Sequence, residues 1–281
     1  MRLVDDPADL EDLYESASAE AAAAFGNGTL YLEKVLSPAR HVEIQVMCDS
    51  HGNVLTLGER ECSIQRRHQK LIEETPSAAL TPELREAMES AAERACRAVG
   101  YLNAGTFEFL IGSDGTFSFI ELNARLQVEH PVTELCTGVD LVRTQLEVAA
   151  GGRLHAAGRA ERGGHAIEVR LNAEDPSRDF MPAPGTVTRF RPPLGAGVRV
   201  DTFVEDGTVI SPYYDSLIAK LVVWDTARDA AIARAERVLS ELVVEGVPTT
   251  RDLALSILAS EEFRSGVYST STLAELGMVA V

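Results

Sequence analysis

Between Gly105 and Pro131 the chain reads GTFEFLIGSDGTFSFIELNARLQVEHP, and its polar side chains are of the kinds that hold a phosphate-bound cation and a small anion. Two runs rich in aromatic and β-branched residues, 106–111 and 116–122, flank Gly112-Ser113-Asp114-Gly115, a strong hairpin signal. With Ser113 and Asp114 as a two-residue loop, Glu108 stands opposite Phe119, and Glu121 is its diagonal neighbour on the same face. Asn123 follows on that face because side chains alternate along a strand. Three oxygen-bearing side chains then converge, a donor set suited to Mg²⁺, which also carries nucleotide phosphates. A three-residue loop is expected to shift the register and break this pairing. Beyond Asn123 come Arg125, Gln127, Glu129 and His130, leading into Pro131, which cannot continue a central strand. A cation, an amide and a carboxylate in so short a segment fit a small-anion site with a base beside it. The alternative is an amphipathic hairpin whose Glu108 and Glu121 face solvent.

The elements that must position these residues are readable on both sides. Residues 7–25 are rich in Ala, Leu and Glu and end at Gly26, predicting a helix with a glycine C-cap. Residues 29–36 read as a strand. Alternation over 41–48, a turn at 49–53 and a return over 54–58 predict a second hairpin, which ends at the polar block 59–70. That block is dense in cations, with Arg60, Arg66, Arg67, His68 and Lys70, and a solvated face is the plain alternative. Thr81-Pro82-Glu83 starts a helix that runs to Val99 and stops at Gly100. A further helix over 133–150 is interrupted by Gly138, and 151–164 is a glycine-containing connector at which a boundary is expected. Beyond it, strands are predicted at 165–171, 185–190, 198–203, 208–211 and 218–224. A helix capped by Thr226 and ending near Gly246 follows, and then a last helix over 252–263.

A chain of 281 residues can bury a large core and hold two lobes. Its formal charge of -17 argues against general nucleic-acid affinity and against an anionic membrane surface, although Arg66-Arg67 can still meet a phosphate. Cys48, Cys62, Cys96 and Cys136 lack paired CxxC spacing and read as reduced structural thiols. No signal sequence opens the chain and no apolar run approaches the roughly 20 residues of a membrane span, so a cytoplasmic location without a membrane partner is expected.

Phe119-Ile120-Glu121-Leu122-Asn123-Ala124-Arg125-Leu126, followed by Gln127-Val128-Glu129-His130-Pro131, closely resembles the metal and bicarbonate segment of biotin carboxylases, which are ATP-grasp enzymes. RHVEIQV at 40–46, ERECSIQRRHQK at 59–70 and HAIEVRLNAED at 165–175 extend the resemblance over nearly the whole chain. It implies an α+β fold: the remainder of an ATP-grasp lid at 1–35, an ATP-grasp core with an antiparallel sheet at 36–152, and the biotin carboxylase C-terminal region at 153–281. It also implies a reaction. MgATP, or MnATP, phosphorylates bicarbonate to carboxyphosphate, whose CO₂ is captured by N1 of biotin on a biotin carboxyl carrier protein. A carboxyltransferase component then uses that biotin, for example in the acyl-CoA carboxylase of fatty acid biosynthesis or in a pyruvate carboxylase.

By the same resemblance, Glu33, Lys34 and Leu36 lie at adenine, and His41, Gln65 and His68 attend the rest of the nucleotide. Glu108, Glu121 and Asn123 hold the metal. Lys70, Arg125, Gln127 and the backbone of Val128 fix bicarbonate, Glu129 is the base that deprotonates it, and Arg170 stabilises the ureido enolate of biotin. Arg199 is expected near a homodimer surface. The family's N-terminal lobe and glycine-rich phosphate loop do not precede Met1, so the N-terminal portion is expected either to lie on another chain or to have been lost from the sequence, with weak or no turnover by this chain alone. A non-catalytic interaction subunit of a biotin-dependent carboxylase is the alternative. Another ATP-grasp ligase, with an amino or carboxylate acceptor, shares the metal carboxylates but is not expected to combine RLQVEHP with HAIEVRLNAED.

Overall fold

Asp6 accepts a hydrogen bond from the Ala8 amide at 2.9 Å and opens a 3-10 turn, Pro7–Asp9, from which helix α1 (Leu10–Phe25) runs to Gly26 at φ 72°. Only glycine reaches that left-handed conformation without strain. The structure is a computed structural model that describes residues 2–279. It divides into a unit ending at Leu36 and a second beginning at Ser37. In the first unit the strand expected over 29–36 does not form. Among the described residues this segment pairs with no other strand, and the Thr29 amide instead donates to Asn27 Oδ1 at 2.9 Å in a local turn.

The second unit is built on one sheet. Its first strands are β1 (Ala39–Cys48), β2 (Val54–Arg66), β3 (Gln69–Thr75), β4 (Asn103–Gly112) and β5 (Phe117–Asn123). β6 (Gly158–Arg159), β7 (His165–Asn172), β8 (Val198–Thr202) and β9 (Leu217–Asp225) complete it. Among the described residues the order is β8-β9-β7-β3-β2-β1-β4-β5, antiparallel throughout, with β6 added parallel to β2. The antiparallel core and α+β class are as expected. Because β3 pairs with β7, the sheet continues across the 151–164 connector.

Helix α2 (Pro82–Val99) covers one face. Thr81 Oγ1 caps it by accepting from Leu84 N at 3.2 Å, and Gly100 ends it at φ 62°. Met88 and Ala92 meet Val42, Ile44, Val46, Phe107 and Phe109 in a buried cluster there. Alternation sends the intervening residues, among them His41, Glu43, Thr106 and Glu108, to the opposite face. The helix expected over 133–150 with an interruption at Gly138 forms as two, α3 (His130–Thr137) and α4 (Leu141–Ala149), divided at Gly138 with φ 71°. None of the described helices is long and apolar enough to cross a membrane.

Several expectations are corrected. The polar block 59–70 is largely strand: β2 is buried along its whole length and turns through Arg67 and His68, both at positive φ (49° and 63°), into β3. Two consecutive positive φ values form the tight turn that suits the strand twist, but Arg-His carries no sequence signal for it. The expected strand 185–190 is two short pieces, Gly185–Thr186 and Arg189–Arg191, with different partners. Helix α5 (Arg228–Glu241) stops before Gly246, since Val243–Glu245 pairs with Arg189–Arg191. Thr226 does not cap it; its hydroxyl stays with Asp225 at 3.4 Å. The helix expected over 252–263 breaks at Ser260 into α6 (Arg251–Ala259) and α7 (Glu261–Ser265), where Ser260 Oγ accepts from Phe263 N at 3.3 Å.

Candidate active site

The β4–β5 hairpin closes through three residues, Ser113-Asp114-Gly115, rather than two. Gly115 takes φ 76°, and Asp114 Oδ1 holds the Thr116 amide at 2.9 Å. That loop shifts the register by one residue, and a bulge at Ile120 shifts it by one more in the same sense. The two shifts add to two residues, which preserves the face. Glu108 therefore stands directly opposite Glu121, not Phe119, and the three-residue loop does not separate the carboxylates as expected.

Cross-strand register extends this pair into a row over four strands, Arg60, Glu43, Glu108 and Glu121. Three carboxylates side by side would repel, and the surrounding donors offset this. Arg60, wholly buried, binds Glu43 at 2.6 Å and also Gln45, Thr133, Thr106 and Gln127 at 2.7–3.2 Å. Burial raises the Glu43 carboxyl, but Arg60 and Lys70 outweigh it and bring the pKa down to about 2. Glu108 is likewise lowered to about 2: burial opposes, and His41 Nε2 at 2.8 Å, Lys70 and Gln127 Nε2 at 2.7 Å prevail. Asn123 Nδ2 bridges Glu108 at 3.0 Å and Glu121 at 2.9 Å.

On the C-terminal side, Glu129 ends the loop ahead of α3 and is almost fully buried. Lys70 Nζ reaches one of its oxygens at 2.6 Å and Arg170 Nη2 the other at 2.8 Å. Lys70 also binds Glu43 at 2.6 Å and Glu108 at 3.3 Å. Despite burial, which disfavours its charge, these carboxylates hold the Lys70 ammonium well above its ordinary range. Arg170 Nε is anchored on Glu73 at 2.6 Å. Lys220 Nζ donates to the Val128 carbonyl at 2.9 Å, and His130 Nδ1 sits 2.8 Å from the Gln127 carbonyl, so the loop is pinned at both ends.

A cleft of about 320 Å³ opens over this array. His41, His68, Lys70, Glu108, Glu121, Asn123, Arg125, Gln127, Val128, Glu129 and Arg170 line it, so these expected residues come together. Gln65, on β2 and nearly buried, does not line it, and His130 is turned to the backbone instead. Glu33, Lys34 and Leu36 belong to the first unit, in its segment without regular secondary structure. Sequence reading missed Glu43, Arg60, Glu73 and Lys220. Their signal was a charged residue at an inward position of an alternating strand, as in the HVEIQV run of β1. The cleft's oxygen donors, Glu108, Glu121 and the Asn123 amide, fit a hard divalent cation.

The family model for the carbamoyl-phosphate synthase L chain ATP binding domain matches residues 1–157, and that for the biotin carboxylase C-terminal domain matches 168–275. A biotin carboxylase of Nostoc sp. is 50% identical over 277 residues, covering 98% of this chain and 62% of its own length. In Methanothermobacter thermautotrophicus, a pyruvate carboxylase subunit is 52% identical over 271 residues, or 96% of this chain and 55% of its own length. The solved biotin carboxylase domain of a thermophilic 2-oxoglutarate carboxylase bound to bicarbonate superposes with a TM-score of 0.93 at 46% identity, over 97% of this chain and 62% of that one. The Campylobacter jejuni biotin carboxylase–β,γ-ATP complex gives 0.92 at 45% identity, over 98% and 61%. The chain thus spans 55–62% of the length of these relatives.

Proposed function

We infer that this chain, which belongs to the biotin carboxylase family, carries the bicarbonate-activating portion of an enzyme that carboxylates biotin at the expense of ATP. The observation that carries the reading is Glu129, a buried carboxylate between Lys70 at 2.6 Å and Arg170 at 2.8 Å, in the cleft that also holds Glu108 and Glu121. Two cations around one base make an anion site whose occupant changes the base. Bicarbonate sharing Lys70 and Arg170 would lie against the Glu129 carboxylate, the placement that a base taking the bicarbonate proton requires.

Arg125 and Gln127, with the Val128 backbone, complete the anion's surroundings. Arg125 is exposed and rests only on the Leu126 carbonyl at 3.4 Å among the described residues, so it can turn to an anion at little cost. Gln127 is held between Arg60 and Glu108 and supplies a fixed amide. Such fixed geometry lowers the entropic part of the barrier when bicarbonate oxygen meets phosphorus. Glu108, Glu121 and Asn123 would hold Mg²⁺ or Mn²⁺, which when bound neutralises phosphate charge during transfer. Once CO₂ has formed, Arg170 would stabilise the oxyanion of a deprotonated biotin ureido group, and charge develops there only as N1 loses its proton.

ATP would meet His41 and His68 in the cleft, with Gln65 supporting β2. The partners consistent with this reading are a biotin carboxyl carrier protein, a carboxyltransferase component and a second copy of the chain near Arg199, whose guanidinium is held by Glu134 at 2.6 Å and by Asp201. The test is bicarbonate- and biotin-dependent ATP cleavage with Mg²⁺, with and without the remaining portion of a relative. Lys70→Met is expected to raise the KM for bicarbonate at least tenfold (about 1.4 kcal/mol). Cleavage that does not depend on bicarbonate would refute the reading.

A further inference from the structure

Behind Arg170 lies a pair of carboxyl groups that the reaction above does not use. Glu73 of β3 and Glu168 of β7 are direct cross-strand partners, and both are fully buried. Glu73 Oε1 accepts from Arg170 Nε at 2.6 Å, whereas Glu73 Oε2 and both oxygens of Glu168 meet no donor. The charged groups facing Glu168 are Glu73 from β3, Arg170 on its own strand, Lys220 from β9 and Glu129 from the loop before α3. Val222 is the partner of Glu168 on β9 and clusters with Val132, Cys136 and Ala166. Directly opposite residues bring their Cβ atoms to about 4.5–5.5 Å, within reach of a carboxyl–carboxyl hydrogen bond.

An ionised carboxylate without a donor in such surroundings is far less favourable than a neutral acid, and an acid needs an acceptor. Glu73 Oε2 is the free acceptor at hand. We propose that Glu168 is a neutral carboxylic acid that donates to Glu73, and that this acid–carboxylate pair is the positioning device for Arg170. Burial and the neighbouring carboxylate push Glu168 well above the usual carboxyl range, in agreement with the geometry. The pair then carries one negative charge rather than two. One charge is enough to anchor Arg170 Nε and aim Nη2 at Glu129, and it leaves the positive charge of Lys70 and Arg170 for an incoming anion. A second charge would repel that anion.

The role assigned to Arg170 rests on the proposed function, so the experiment has two readouts. The first is the infrared spectrum of this chain at about pH 8.5 in D₂O, above the range in which Glu73 itself holds a proton, which is expected to show the carbonyl band of a protonated carboxylic acid, lost in Glu168→Gln. The second is bicarbonate- and biotin-dependent ATP cleavage with the rest of a relative supplied. Glu168→Leu is expected to fall about tenfold or more, the scale of one hydrogen bond to a charged group. Glu168→Gln, whose amide can still donate to Glu73, is expected to recover most of that loss. A packing role reverses the order, because leucine suits the apolar wall better than an amide. No protonated band, a band that survives Glu168→Gln, or Leu outperforming Gln overturns the proposal. An inactive wild-type mixture with the band intact refutes the reaction instead and upholds the acid pair.

Discussion

Arg60→Met tests the organisation of the site without requiring any turnover. The guanidinium is wholly buried and, among the described residues, donates to Glu43, Gln45, Thr133, Thr106 and Gln127. Methionine fills much of the volume but removes every donor. Removing one partner of a buried ion pair costs about 3–5 kcal/mol, because the other charge remains unpaired. Here Lys70 still reaches Glu43 at 2.6 Å, which places the expected loss near the middle of that range, about 4 kcal/mol. With a urea slope of about 3 kcal/mol/M, the unfolding midpoint should fall by about 1.3 M. The lone tryptophan, Trp224, donates Nε1 to the Gly163 carbonyl at 2.9 Å and gives a fluorescence readout. Glu43→Gln in both backgrounds closes a double-mutant cycle, and a coupling above about 1.5 kcal/mol is expected. A loss below about 1 kcal/mol, or additivity within a few tenths, would refute the claim that Arg60 holds the carboxylate row together.

The same geometry makes further predictions. Glu108→Gln and Glu121→Gln should each weaken Mn²⁺ binding, read by titration calorimetry or electron paramagnetic resonance; equal affinity in both variants and wild type would remove these carboxylates from the metal site. For pH, Glu43, and Glu74 of β3, where burial is outweighed by hydrogen bonds from His165 at 2.6 Å and Arg228 at 2.8 Å, have carboxyls lowered from 4.5 to about 2, so the stability they contribute is present above about pH 4.5 and is lost as pH falls toward 2, by up to about 3 kcal/mol each. The Glu73–Glu168 pair acts in the opposite sense: burial raises both carboxyls, Glu73 to about 7, so the stability of the doubly protonated pair is present below about 4.5 and is lost as its first proton leaves through 7, above which one proton stays on Glu168. Tm measured against pH should therefore fall on the acid side, and Glu73→Gln should flatten the limb between 4.5 and 7. Gly58→Ala should lower stability by about 1–2 kcal/mol in thermal unfolding, since Gly58 sits at φ 85° and an added Cβ would lie 2.1 Å from the Arg162 guanidinium. An unchanged Tm would contradict that.

How much of this was legible in the sequence depends on whether the signal was local. The Thr81 cap, the stops at Gly26 and Gly100 and the β4–β5 turn are local chemistry, and each forms where the residues predict. The facing of Glu108 and Glu121 was anticipated, but their register was not. Loop length and the Ile120 bulge each moved it by one residue, and only their sum is visible in the side-chain pattern. The Arg67-His68 turn is imposed by the pairing of β2 with β3, so its positive φ values left no glycine or asparagine to read. Arg60 illustrates the larger difficulty. In a run of cations it resembles a solvated face, and its burial becomes intelligible only when β1 supplies Glu43 and Gln45 and α3 supplies Thr133. The 29–36 segment failed for the opposite reason: strand-like residues make no strand without a partner.

Bicarbonate activation is tested most sharply by the fate of oxygen. With ¹⁸O-labelled bicarbonate, MgATP and biotin, and with the remaining portion of a relative supplied, attack of a bicarbonate oxygen on phosphorus must carry one label into the released phosphate. Singly labelled phosphate is expected from the mixture containing this chain, and none from the same mixture with Glu129→Gln. Turnover that releases unlabelled phosphate, or labelled phosphate that persists undiminished in Glu129→Gln, would contradict the assignment of Glu129 and its cleft to bicarbonate activation.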